Sequence, residues 1–98
     1  MLIGVPSEIK AQESRIGLTP ASVQKLSNHG NQVLVQDNAG FGAGFDNSDY
    51  EKAGAKIVKE ASDIFNDAEM IVKVKEPLQE EVIMLHENQI LFTYLHLA

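Results

Sequence analysis

The chain contains no cysteine, which excludes a disulfide framework, thiolate chemistry and a zinc finger. Lysine and arginine together number 8 against 14 aspartates and glutamates, a formal net charge of −6 without any basic cluster. Nucleic acid and anionic membrane surfaces both demand concentrated positive charge, so neither is expected as a partner. No run approaches the ~20 apolar residues of a membrane span. The apolar start, Met1 to Pro6, lacks the basic region and long apolar region of a secretion signal. What remains, at 98 residues, suits one small, acidic domain with a single core, expected in the cytoplasm.

Short apolar runs alternate with capped helical segments. Leu2 to Val5 reads as a strand buried on both faces, because its apolar residues do not alternate with polar ones. Thr19-Pro20 reads as a helix cap followed by proline at the first helical position, with Ala21, Val23 and Leu26 as the apolar stripe and Gly30 past the end. A second strand is predicted over Val33 to Val35. Ser48 to Glu51 has the spacing of a capping box that opens a short helix. A third strand covers Lys56 to Val58, and Ser62 is placed as the cap of a further helix.

A fourth strand covers Met70 to Val74. Pro77 then opens a helix whose apolar face is Leu78, Val82, Ile83 and Leu85, with Glu80 and Glu81 on its solvated side. The fifth strand, Gln89 to Leu95, looks the most buried of all. Five strands separated by helices predict a parallel, flavodoxin-like, doubly wound α/β sheet. With no helix following that last strand, the chain is expected to be the N-terminal piece of a longer polypeptide.

Ligands of parallel α/β sheets bind outside the carboxyl ends of the strands. Three residues fall there: Arg15, Lys75 and His96. The planar fork of Arg15 matches a carboxylate bidentately, although pairing with Glu13 or Glu8 as a solvated loop charge is equally compatible with its position. Lys75 follows Lys73 at period two, so both should point to one side of the strand if it continues that far. A desolvated lysine there can polarise a carbonyl or hold a carboxylate, whereas a single lysine is more commonly a snorkelling surface residue. His96 sits where a general acid/base near neutral pH is useful, although a lone histidine after an apolar strand is more often structural. His29 and His86 lie near helix ends, where they suit the helix dipole.

Gly40-Phe41-Gly42-Ala43-Gly44-Phe45 follows a strand and invites a dinucleotide-binding reading. Phe45 stands where the third glycine should be, and Asp46, Asn47 and Asp49 follow. A pyrophosphate site needs a helix N-terminus immediately after the glycines and no local carboxylates, so a tight loop is expected instead.

Across its whole length the sequence resembles the N-terminal domain shared by alanine dehydrogenases and proton-translocating transhydrogenases. The resemblance rests on Ile3-Gly4-Val5-Pro6 with Glu8, on Glu13 and Arg15 to Pro20, on Lys73-Val74-Lys75-Glu76-Pro77, and on Leu95-His96-Leu97-Ala98. Ile16 and Gly17 depart conservatively, where valine and alanine are more usual. The lysine and histidine of the last two motifs favour the alanine dehydrogenase branch.

That resemblance implies NAD-dependent, reversible oxidative deamination of L-alanine to pyruvate and ammonium. It assigns Arg15 to the substrate carboxylate, Lys75 to holding and polarising the carboxylate or carbonyl, and His96 to general acid/base catalysis. Residues 1–98 would be the N-terminal part of the substrate domain. The Rossmann domain that holds most of the NAD would lie beyond Ala98, no metal is implied, and a homohexamer is usual. The fragment alone is expected to be inactive. Two other classes compete: the corresponding domain of a transhydrogenase subunit, and a non-catalytic flavodoxin-like binding module.

Overall fold

The computed structural model describes residues 1–9 and 13–94. Five strands form one parallel sheet: β1 (Leu2–Val5), β2 (Gln32–Gln36), β3 (Lys56–Val58), β4 (Met70–Lys73) and β5 (Ile90–Thr93). Four helices connect them: α1 (Pro20–Asn28), α2 (Asn47–Lys52), α3 (Ala61–Asp67) and the single turn α4 (Gln79–Val82). Each strand's pleat sends alternate residues to opposite faces. Ile3, Val5, Val33, Val35 and Val72 join Val23 of α1 and Tyr50 of α2 in one core. Ile71 joins Ile64, Phe65 and Ala68 in a second core on the α3 side, with Leu34 against it. This two-sided burial is the reason that β1, β2 and β4 read as nearly continuous apolar runs.

The spatial order is β3-β2-β1-β4-β5. The chain steps outward from β1 to β3, then returns through α3 to β4 on the other side of β1. The doubly wound parallel α/β sheet is therefore as expected, but its order differs from the 2-1-3-4-5 of flavodoxin and follows the dinucleotide-domain order instead. Apolar runs specify strands, not which edge of the sheet receives the next one. The topological switch point, where such sheets bind ligands, falls between β1 and β4.

Local details also differ from expectation. Thr19 caps α1 as predicted, accepting the Ser22 N–H at 3.2 Å. The cap of α2 is Asp46, not Ser48: Asp46 and Asp49 exchange reciprocal side-chain to main-chain bonds of 3.1 and 3.0 Å. A carboxylate also complements the positive end of the helix dipole better than a hydroxyl does. The helix α3 begins after Glu60, ahead of Ser62. Around α4 the predicted apolar face holds only in part: Leu85 packs against the second core and Leu78 is half-buried, but Val82 and Ile83 are exposed and Glu81, expected to be solvated, is buried. Strand β5 is an exposed edge and not the most buried strand: Ile90, Leu91 and Phe92 are 47%, 37% and 54% accessible. Leu95 and His96 lie outside the described residues. No helix among the described residues is long and apolar enough to cross a membrane.

Candidate functional site

Two loops meet at the switch point. One leaves β1 and carries Glu8, Glu13 and Arg15; the other leaves β4 and carries Val74 and Lys75. Glu8 joins them. One of its carboxylate oxygens accepts the Val74 N–H at 2.9 Å, and the other accepts the Lys75 N–H at 3.2 Å and the Lys73 ammonium at 3.3 Å.

Period two would place Lys73 and Lys75 on one side only if the strand continued to Lys75, and it does not. Strand β4 ends at Lys73, and beyond it the two side chains take different partners. Lys73 is 1% exposed and lies between Glu8 and Glu81, with its ammonium 3.1 Å from the Glu81 carboxylate. Glu81 in turn accepts the Leu78 N–H at 2.9 Å, at the start of α4. Burying an ammonium is tolerable only with such direct partners. Lys75 keeps a quarter of its side chain accessible and reaches Glu13, at 3.9 Å.

Arg15 also turns to Glu13. Its guanidinium donates to both carboxylate oxygens, at 3.0 and 3.1 Å, and its main-chain N–H donates to one of them at 2.8 Å. The hydrogen bonds from Arg15 hold the Glu13 carboxyl below its ordinary range, helped by the nearby Lys75 charge. The same pair raises the Arg15 guanidinium. The ion pair weighed from sequence as the alternative to ligand binding is thus present, but it does more than neutralise a loop charge: it brings Arg15 and Lys75 onto one carboxylate. The Arg15 side chain remains 64% accessible.

A cleft of about 450 Å³ opens beside this cluster, lined by Ser7, Glu8, Glu13, Arg15, Asn38 and Phe41 among others. Lys75 is linked to it through Glu8 and Glu13. On the far side of the switch point, the Tyr94 hydroxyl donates to the Gly17 carbonyl at 2.7 Å and ties the end of β5 to the loop after β1. His96, the third predicted site residue, lies two residues beyond Tyr94 and outside the described residues, as do Lys10, Ala11 and Gln12.

The glycine-rich loop offers no cradle for a dinucleotide pyrophosphate. Phe41 to Ala43 form one 3₁₀ turn, and a Cβ on Gly40 would meet the Tyr50 hydroxyl at 2.8 Å. The next helix N-terminus, that of α2, is already capped by the Asp46 carboxylate. This loop therefore does not fit the phosphates of NAD.

Sequence reading missed Glu8 and Glu81 as parts of this site and undervalued Lys73. The available signal was Lys73 itself: a lysine inside a strand buried on both faces must find a carboxylate.

The fold, the switch-point cations and the motifs that carry them define the class: the chain belongs to the alanine dehydrogenase/PNT N-terminal domain family, whose match spans residues 4–98. Within it, the chain is 52% identical over 98 residues to the alanine dehydrogenase of Bacillus subtilis (strain 168), covering 100% of this chain and 26% of that protein. The alanine dehydrogenase of Methanococcus maripaludis is 50% identical, with the same coverage. Among solved structures, an L-alanine dehydrogenase superposes with a TM-score of 0.93 at 52% identity, over 98% of this chain and 26% of that one. A transhydrogenase from Sinorhizobium meliloti superposes with a TM-score of 0.88 at 29% identity, over 95% of this chain and 27% of that one. The chain thus spans about a quarter of the length of the relatives it matches.

Proposed function

We propose that the chain is the N-terminal part of the substrate domain of an NAD-dependent alanine dehydrogenase, which interconverts L-alanine with pyruvate and ammonium. The observation that carries this reading is the meeting of Arg15 and Lys75 on one carboxylate at the switch point. A guanidinium fork and an ammonium that share the Glu13 carboxylate have the charge and spacing to share the carboxylate of a small 2-oxo or 2-amino acid.

In this reading Arg15 exchanges its bonds to Glu13 for bonds to the substrate carboxylate. Lys75 holds the same carboxylate or polarises the adjacent carbonyl. His96 moves protons as carbinolamine and imine interconvert. NAD, the hydride carrier, is held mainly by a Rossmann domain beyond Ala98. The full-length protein would act in the cytoplasm as a homohexamer.

The test is NADH oxidation by the full-length protein with pyruvate and ammonium together, then with each omitted in turn. Turnover that requires both supports the reading. Hydride exchange between nicotinamides, indifferent to alanine and pyruvate, would move the assignment to a transhydrogenase subunit. Folded protein with neither reaction would leave a non-catalytic binding module.

A further inference from the structure

We propose that Glu8 is a positioning residue for Lys75, with buried Lys73 as its counter-ion; the inference rests on the reading of Lys75 as a substrate-binding group. Strand β4 ends at Lys73, so the next two main-chain N–H groups, those of Val74 and Lys75, need acceptors from outside the ladder. Glu8 supplies both from a loop 66 and 67 residues earlier in the chain, through separate carboxylate oxygens. The place where Lys75 leaves the sheet is therefore set by a side chain from the loop after β1.

Lys73 fixes Glu8 in turn. Its ammonium bonds a carboxylate on either side, Glu8 at 3.3 Å and Glu81 at 3.1 Å, with all three side chains at most 4% exposed. Glu81 holds the Leu78 N–H, so the segment that bears Lys75 is anchored just before and just after it. The Lys75 side chain itself stays partly accessible and points its ammonium at Glu13. A fixed main chain beneath a reachable ammonium is the arrangement that pre-organises a binding group. Among the described residues, the hydrogen bonds of Glu8 to Lys73, Val74 and Lys75 thus serve orientation.

The experiment uses the full-length protein with Glu8→Gln, which places an amide where two N–H donors and an ammonium now converge. The expected result is a fall of about 10²-fold in kcat/KM for pyruvate, the scale of a 1 Å misplacement, with NADH affinity by fluorescence titration unchanged. Glu8→Asp, which keeps the charge on a shorter stem, recovers part of that loss. A crystal structure of Glu8→Gln shows the Lys75 ammonium moved away from Glu13. Wild-type pyruvate kinetics in Glu8→Gln overturn the proposal, as does an equal loss of pyruvate and NADH terms, which is the signature of damaged folding. Should Glu8→Gln fail to fold, Glu8→Asp decides on the same readouts: a pyruvate-selective loss supports positioning, and unchanged kinetics refute it. Should the wild type show no pyruvate turnover, the functional reading fails separately, and the position of Lys75 in the variant crystal still decides the role of Glu8.

Discussion

Lys73 and Glu8 stand 65 residues apart in sequence, yet the ammonium of one lies 3.3 Å from the carboxylate of the other, with side chains 1% and 3% exposed. The contact crosses the switch point and links the two loops that carry Lys75 and Arg15. Without it, two carboxylates would remain in the interior with no cation between them.

Lys73→Met is therefore expected to destabilise the domain by about 3–5 kcal/mol, the usual cost of removing one partner of a buried ion pair. Adding Glu81→Gln to that background removes one stranded charge and should restore part of the loss. Thermal unfolding of wild type, both single variants and the double variant measures the coupling. Additive effects would show that the three groups do not act as a unit.

Acid should weaken the fold through two carboxyls whose pKa values are depressed. Glu13 is lowered from an ordinary 4.5 chiefly by hydrogen bonds from Arg15, and Asp46 from 3.8 chiefly by the Ser48 hydroxyl and the Asp49 N–H. A depressed carboxyl stabilises the native state above its unfolded value, and that contribution disappears as pH falls through the folded value. Stability is expected to be level near neutrality and to decline below about pH 4.5. Asp46→Asn keeps a neutral helix cap but removes the ionised carboxylate, so it should lower neutral stability toward the acid value and thereby flatten the acid limb. An unchanged acid limb would show that Asp46 is not responsible.

Alkali should act through Tyr50. Burial, with a smaller contribution from the Asp49 charge, pushes its hydroxyl up to about 12 from 10.0. Between those values the native state keeps a proton that the unfolded chain loses, so stability falls as pH rises through that window. Tyr50→Phe should remove this dependence. It also leaves the Leu18 carbonyl without the donor now 2.8 Å away, at a cost of about 1–3 kcal/mol at neutral pH. Denaturant unfolding at neutral pH and near pH 11 separates the two effects.

On the proposed function, His96→Ala in the full-length protein is expected to lower kcat by about 10²–10⁴-fold, the contribution of a positioned general acid/base. Circular dichroism and NADH binding should match the wild type. Near-normal turnover would remove His96 from the proton-transfer role.

Strands β1, β2 and β4 were legible because burial on both faces leaves no polar residue to break the run. The same criterion locates β5 but overstates its burial, because Ile90-Leu91-Phe92 is equally apolar yet lies at an edge of the sheet; hydrophobicity records suitability for burial, not burial itself. Helix caps were legible where one residue satisfied the pattern, as Thr19 did. They were ambiguous where Asp46 and Ser48 competed within a few residues. Arg15 and Lys75 could be placed at the sheet's ligand-binding edge from strand ends alone. Their convergence on Glu13 could not, because it depends on the side-by-side placement of β1 and β4. Glu81 was read as solvated for the same reason: its burial depends on Lys73, a strand residue that no helical periodicity of α4 reveals.

The most direct test of the central claim is the crystal structure of the full-length protein with pyruvate bound. The account predicts the pyruvate carboxylate within hydrogen-bond distance of the Arg15 guanidinium, with the Lys75 ammonium on that carboxylate or on the adjacent carbonyl oxygen, at the carboxyl ends of β1 and β4, and with Glu13 giving up at least one of its bonds to Arg15. Pyruvate bound away from these two side chains, with Arg15 and Lys75 still held by Glu13, would contradict it.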